Sequence, residues 1–150
     1  MTDIIDADVK KAFIRKQECF SALTENEITM LADLLIEKHF SAGEIVVIEG
    51  QPVDSVYLVI SGEADVRHVY IENNTTRFTS LATLGPGEAI GLNDTGFYSI
   101  SGVRTATVVA LSEMVTLCLS IAAFHGFALV NSHVNEVMHQ HAKALLGIDK

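Results

Sequence analysis

The chain has 150 residues, 49% of them hydrophobic and 19% charged, with a formal net charge of −9. That length suits one domain with a substantial core, and the composition excludes a disordered polymer. The acidic balance, with no run of Lys or Arg, excludes broad nucleic-acid binding, which depends on clustered cations.

The start, MTDIIDAD, is acidic rather than basic-then-apolar, so no secretory signal is expected and a cytoplasmic location is. The first forty residues read as helical. DADVKKAFIRKQECF mixes charge with Val9, Phe13 and Ile14. In LTENEITMLADLLIEKHF, Thr24 and Glu27 form a capping box, and Leu23 with Ile28 a hydrophobic staple. Ile28, Leu31, Leu34 and Leu35 make one apolar stripe at helical spacing, read as core. Cys19 and Cys118 lack metal-type spacing and are expected as reduced thiols engaged in packing.

After Gly43 the period changes. EIVVIEG, SVYLVISG, ADVRHVYI, RFTSLATLG, VRTATVVA and MVTLCLS are short and rich in Val, Ile, Thr and Tyr. Turn signals bound them at Gly50 to Asp54, Ser61-Gly62, Asn73-Asn74, Gly85-Pro86-Gly87 and Ser112-Glu113, a pattern of sandwiches and barrels. Alternation in RTATV sets Arg104, Ala106 and Val108 against Thr105 and Thr107. From Ile121 helical spacing returns, first in a short apolar helix and then in HVNEVMHQHAKALLGI. There Val134, Met138, His141, Leu145 and Ile148 form a seam for a partner helix or for the barrel. The longest mostly apolar stretch, LCLSIAAFHGFALV, is too short to cross a bilayer.

Three phrases in this order carry a resemblance: FSAGEIVVIEGQPVDSVYLVISGEADV (Phe40 to Val66), LATLGPGEAIG (Leu81 to Gly91) and RTATVVA (Arg104 to Ala110). The chain resembles the cyclic-nucleotide-binding domain family, whose catabolite activator protein-like members are regulatory domains. The resemblance implies a mainly β fold: a jelly-roll barrel over about residues 40–120, helices at about 5–38 before it, and C-terminal helices at about 121–147, all in one domain spanning 1–150. It also implies a cassette in which amides at a short helix start and one arginine take the cyclic phosphate, while a glutamate takes the ribose hydroxyl. Helix N-termini and guanidinium groups suit such an anion.

Carried onto this sequence, the resemblance makes Arg104 the phosphate arginine, with Thr105 and Ala106 beside it. Two registers exist for the glutamate. In the preferred one, AIGL matches the cassette, Gly91 takes the glycine's place, and Leu92 stands where Glu is expected, with Asn93 or Asp94 as substitutes. In the other, Gly87-Glu88 is the pair, and the segment from Glu88 to Arg104 is longer than usual. A leucine accepts no hydrogen bond, a loss of roughly 1.5–3 kcal/mol for a charged acceptor. No aromatic follows His133 to cover a base.

Other chemistries fit poorly. His68 is the only histidine that reads as strand, so a cupin-type metal set is not expected, and His139 and His141 point apart on a helix. His141 within the apolar seam is one place where helix pairing would depend on pH. No nucleophile elbow, Walker loop or Rossmann pattern appears, so no catalytic residue, metal or cofactor is expected. The expected function is that of a small sensor that binds cyclic AMP or cyclic GMP and signals to a partner chain, with no DNA-reading module and no membrane contact. Homodimerisation through the C-terminal seam is compatible with this. The alternative is a degenerate, ligand-free interaction module of the same fold.

Overall fold

The computed structural model describes residues 6–17, 20, 22–91, 103–134 and 136. Two helices come first, α1 (Ala7–Arg15) and α2 (Glu25–Leu34). Asp6 caps α1 by accepting from the Val9 N–H, and its first turn carries Asp8, which suits the positive end of the helix dipole. The expected capping box opens α2: the Glu27 N–H donates to the Thr24 hydroxyl at 3.1 Å, and the Thr24 N–H to the Glu27 carboxylate at 2.8 Å.

The helix ends earlier than expected. Leu35 turns extended, with ψ 132°, and Ile36–Phe40 is a strand, β1, rather than helix to about residue 38. The cause lies far along the chain. β1 pairs antiparallel with Met114–Cys118, and a sheet edge overrides the weak helical preference of Glu37 and Lys38.

The remaining strands are β2 (Ile45–Val47), β3 (Ser55–Ser61), β4 (Ala64–Glu72), β5 (Thr75–Leu84), β6 (Ala89–Ile90), β7 (Thr107–Ala110) and β8 (Met114–Ser120), followed by α3 (Ile121–Val130). They form two antiparallel four-stranded sheets, ordered β1-β8-β3-β6 and β2-β7-β4-β5. This is the expected mainly β barrel flanked by helices. Asn73 and Asn74, at φ 52° and 61°, make the two-residue turn between β4 and β5, where left-handed residues match the twist of the strands. At Gly62 a Cβ would lie 2.2 Å from the Glu113 carbonyl, so that turn admits no side chain.

Strand β3 is buried on both faces because it separates two cores. Val56 and Leu58 pack outward, with Leu117 and Leu119 of β8, under Ile14, Phe20, Leu31, Phe124, Phe127 and Val134 from the helices. Tyr57 and Val59 turn inward with Val47, Val108, Met114 and Cys118. Cys118 is thus a packing residue, as expected; Cys19 lies outside the described residues. Val134, the first residue of the C-terminal seam, is fully buried in the domain's own helical core. Met138, His139, His141, Leu145 and Ile148 lie outside the described residues. Among the described residues no helix is long and apolar enough to cross a membrane.

Candidate functional site

Among the described residues the fold buries one cation. Arg104 precedes β7 and is 7% exposed. Its backbone is held on both sides by the Gly50 to Pro52 loop: the Arg104 N–H donates to the Gln51 carbonyl at 2.8 Å, and the Gly50 N–H to the Arg104 carbonyl at 2.9 Å. Pro52 and Val103 form an isolated antiparallel bridge alongside. The turn read in the sequence at Gly50 to Asp54 therefore fixes the arginine.

The side chain is fixed too. Nη2 donates to the Ser55 carbonyl at 2.8 Å and lies 3.6 Å from the Asp54 carboxylate, which is itself 86% exposed. Nη1 is buried and has no hydrogen-bond partner among the described residues. Burial pulls the guanidinium below the usual arginine range, and the negative charge of Asp54 opposes that pull. Arginine keeps its charge in proteins, so the site presents a charged donor in a poorly solvated place.

Beside it is a cavity of about 250 Å³. Gly91, Thr105 and Ala106 line it with Arg104, and Val47, Val66, Ile90 and Val108 form apolar wall. Gly91 is the closest neighbour that matters. At φ 86° it occupies the left-handed region, and a Cβ there would stand 2.7 Å from Nη1. The glycine leaves the space in front of the unpartnered nitrogen open.

The structure thus brings Gly91, Arg104, Thr105 and Ala106 together. Glu88, the glutamate of the second register, is placed elsewhere. Its carboxylate accepts from the Gly85 N–H at 2.8 Å, closing the Gly85-Pro86-Gly87 turn, and it does not line the cavity. Leu92, Asn93 and Asp94 lie outside the described residues. Asp54 and Ser55 escaped the sequence reading as site residues. Asp54 reads there as a turn former; its approach to Arg104 depends on strand pairing fifty residues apart and leaves no local signal.

Among the described residues, no group of three His, Cys, Asp or Glu side chains is placed to hold a metal ion. His68 instead sits at the surface, 3.2 Å from Glu49.

The chain is thus a jelly-roll barrel with a buried arginine beside a cavity of about 250 Å³. A family profile described as the cyclic nucleotide-binding domain matches residues 37–131, and the chain belongs to that family. It is similar to two groups of forms of the Drosophila melanogaster cGMP-dependent protein kinase, isozyme 2, at 24% identity over 131 residues in each case. That match covers 86% of this chain but only 13% and 11% of the kinases' own lengths. Among solved structures, the N-terminal domain of a Streptomyces coelicolor A3(2) transcriptional regulator superposes with a TM-score of 0.75 at 26% identity, covering 89% of this chain and 90% of that one. The regulatory domain of Toxoplasma gondii PKA, co-crystallised with cAMP, superposes at 0.68 with 22% identity, over 85% of this chain and 46% of that one.

Proposed function

We propose that this domain binds a cyclic nucleotide, cyclic AMP or cyclic GMP, through its phosphate at Arg104, and that the bound state is read by a partner chain. The observation that carries the reading is the buried Nη1 of Arg104, unpartnered among the described residues and facing the cavity across Gly91. A cyclic phosphodiester offers one negative charge and oxygens of the right size to meet it. Family membership supports the same ligand class. A guanidinium nitrogen buried without a partner among the described residues is a standing cost to folding, which weighs against a ligand-free interaction module. The apolar walls suit a base and sugar ring. With Leu92 in the place of the family's glutamate, the phosphate contact carries a larger share of the affinity.

A route outward from the site also exists. Gly91 continues from β6, and the turn preceding β6 is held by the residues that follow α1: the Gln17 side chain donates to the Gly87 carbonyl at 3.1 Å. A shift of the cassette on binding therefore reaches the helical layer, where a partner chain can sense it.

Calorimetric titration with cyclic AMP and cyclic GMP tests the reading. Saturable binding is expected for at least one, and Arg104→Ala should weaken it about ten- to a hundredfold, the worth of one or two charge-assisted hydrogen bonds. Absence of heat at millimolar nucleotide overturns it.

A further inference from the structure

The β4–β5 hairpin outgrows the barrel. Strand β7 pairs with β4 only over Ala64–Arg67, whereas β4 and β5 continue together to the turn at Asn73-Asn74. From His68 to Thr79 the hairpin is thus a two-stranded ribbon with no further strand beside it among the described residues. Two-stranded ribbons are marginal in water unless something packs on them. This one carries apolar side chains, with Ile71 76% exposed and Phe78 46%, and Leu81 just beyond it is 57% exposed.

Among the described residues the outer edge of β5 is equally open. Nearly every residue of Thr75–Leu84 is exposed, and the strand ends its sheet. Natural edges are guarded by Lys, Pro, bulges or short length. Strand β1, an edge of the other sheet, carries Glu37, Lys38 and His39, while β2 and β6 are very short. In β5, TTRFTSLATL, there is no Lys and no Pro; its one bulge, at Leu81 where Val66 pairs with Ala82 and Arg67 with Ser80, lies just past the ribbon, and its only charge, Arg77, is neutralised at 3.2 Å by Glu72 on the same ribbon.

We propose that β5 is a self-association edge, pairing antiparallel with β5 of a second copy across a two-fold axis to join two four-stranded sheets into one. Charge selects this occupant. Each copy carries a net −9, so most faces repel their own kind, but on the β4–β5 hairpin the charges cancel internally. Arg67 is matched by Asp65 at 2.6 Å, and Arg77 by Glu72 at 3.2 Å. The strand is also compatible with itself. An antiparallel pair with two-fold symmetry sets one residue against its own copy. Centring on Thr79 sets Phe78 against Ser80 and brings Arg77 near the bulged Leu81 of the second copy, with no like charges opposed. An edge-only contact is small beside the roughly 1,000 Å² of a stable interface. Association should therefore depend on concentration.

Sedimentation equilibrium across a concentration series tests the proposal. The wild-type mass should rise from 16.3 kDa toward twice that value. Thr79→Lys and Thr79→Glu each set like charges face to face at an exposed position, so each alone should stay monomeric, and their mixture should recover the dimer. Circular dichroism confirms that both variants remain folded. A wild type that stays monomeric at millimolar concentration overturns the proposal. So does a dimer indifferent to both Thr79 variants, as would arise from the C-terminal seam around Leu145, or a mixture that fails to associate.

Discussion

At the scale of single residues, Gly91 and Arg104 form one device. A side chain at 91 meets two penalties: the left-handed backbone at φ 86°, and a Cβ 2.7 Å from Nη1. Gly91→Ala should therefore cost about 1–2 kcal/mol of stability from the backbone conformation alone. It should also weaken nucleotide binding, because the methyl fills the approach to the nitrogen. Chemical denaturation and titration of the same variant read both effects; a stable variant with undiminished affinity would show that ligand does not approach Nη1 from this side. Asp54 acts in the opposite sense. It lies 3.6 Å from Nη2 and is largely solvated, so it competes weakly with an incoming anion. The arginine was legible in the sequence through RTAT, and Gly91 through AIG. Their contact was not, since it joins the end of β6 to a residue shortly before β7. Glu88 illustrates the converse. A Gly-Glu pair invites a ligand role, but the nearest amide, three residues back in the same turn, takes the carboxylate first.

At the scale of elements, the N-terminus of α2 ties the two helical ends of the chain together. Glu27 is buried and completes the capping box on Thr24; its two carboxylate oxygens also lie 2.9 Å from Nδ1 of His133. Burial alone would raise the Glu27 carboxyl, but the Thr24 N–H, the His133 ring and the Thr24 hydroxyl outweigh it and hold the group below the ordinary carboxylate range. A carboxyl depressed on folding contributes stability that is fully present above its unfolded value, about 4.3, and is lost as pH falls through the folded value. Asp65, lowered chiefly by its hydrogen bond to Arg67, adds to the same acid-side loss. Glu27→Gln keeps a hydrogen-bond acceptor for the Thr24 N–H and removes the titration. Its stability by urea unfolding should therefore fall less steeply than that of the wild type below about pH 5. Parallel curves would assign the acid sensitivity to other carboxylates. The capping box was readable from Thr24 and Glu27 alone because its chemistry is local. The end of α2 was not. Ile36 to Phe40 contains residues that serve a helix or a strand, and β8, far along the chain, decides between them.

At the scale of the whole molecule, the site sets affinity against stability. The ligand-free domain buries a guanidinium with one nitrogen unpartnered among the described residues, and an unsatisfied buried donor costs about 1–3 kcal/mol. A ligand that meets the nitrogen removes that cost as part of its binding energy, and stabilises the fold by about 2.7 kcal/mol in all at a hundredfold excess over Kd. Arg104→Met, which retains length and apolar contact while deleting the charge, should separate the two contributions. Without ligand its Tm should match or exceed that of the wild type, by roughly 2–4 °C per kcal/mol recovered in a domain of this size. With saturating cyclic nucleotide only the wild type should rise, so the order of the two proteins reverses. Differential scanning calorimetry with and without nucleotide reads all four values. A ligand-free Arg104→Met that melts several degrees below the wild type would mean that the bond from Nη2 to the Ser55 carbonyl makes Arg104 a structural strut. The buried charge would then be part of the scaffold, and its position beside the cavity would carry no functional meaning.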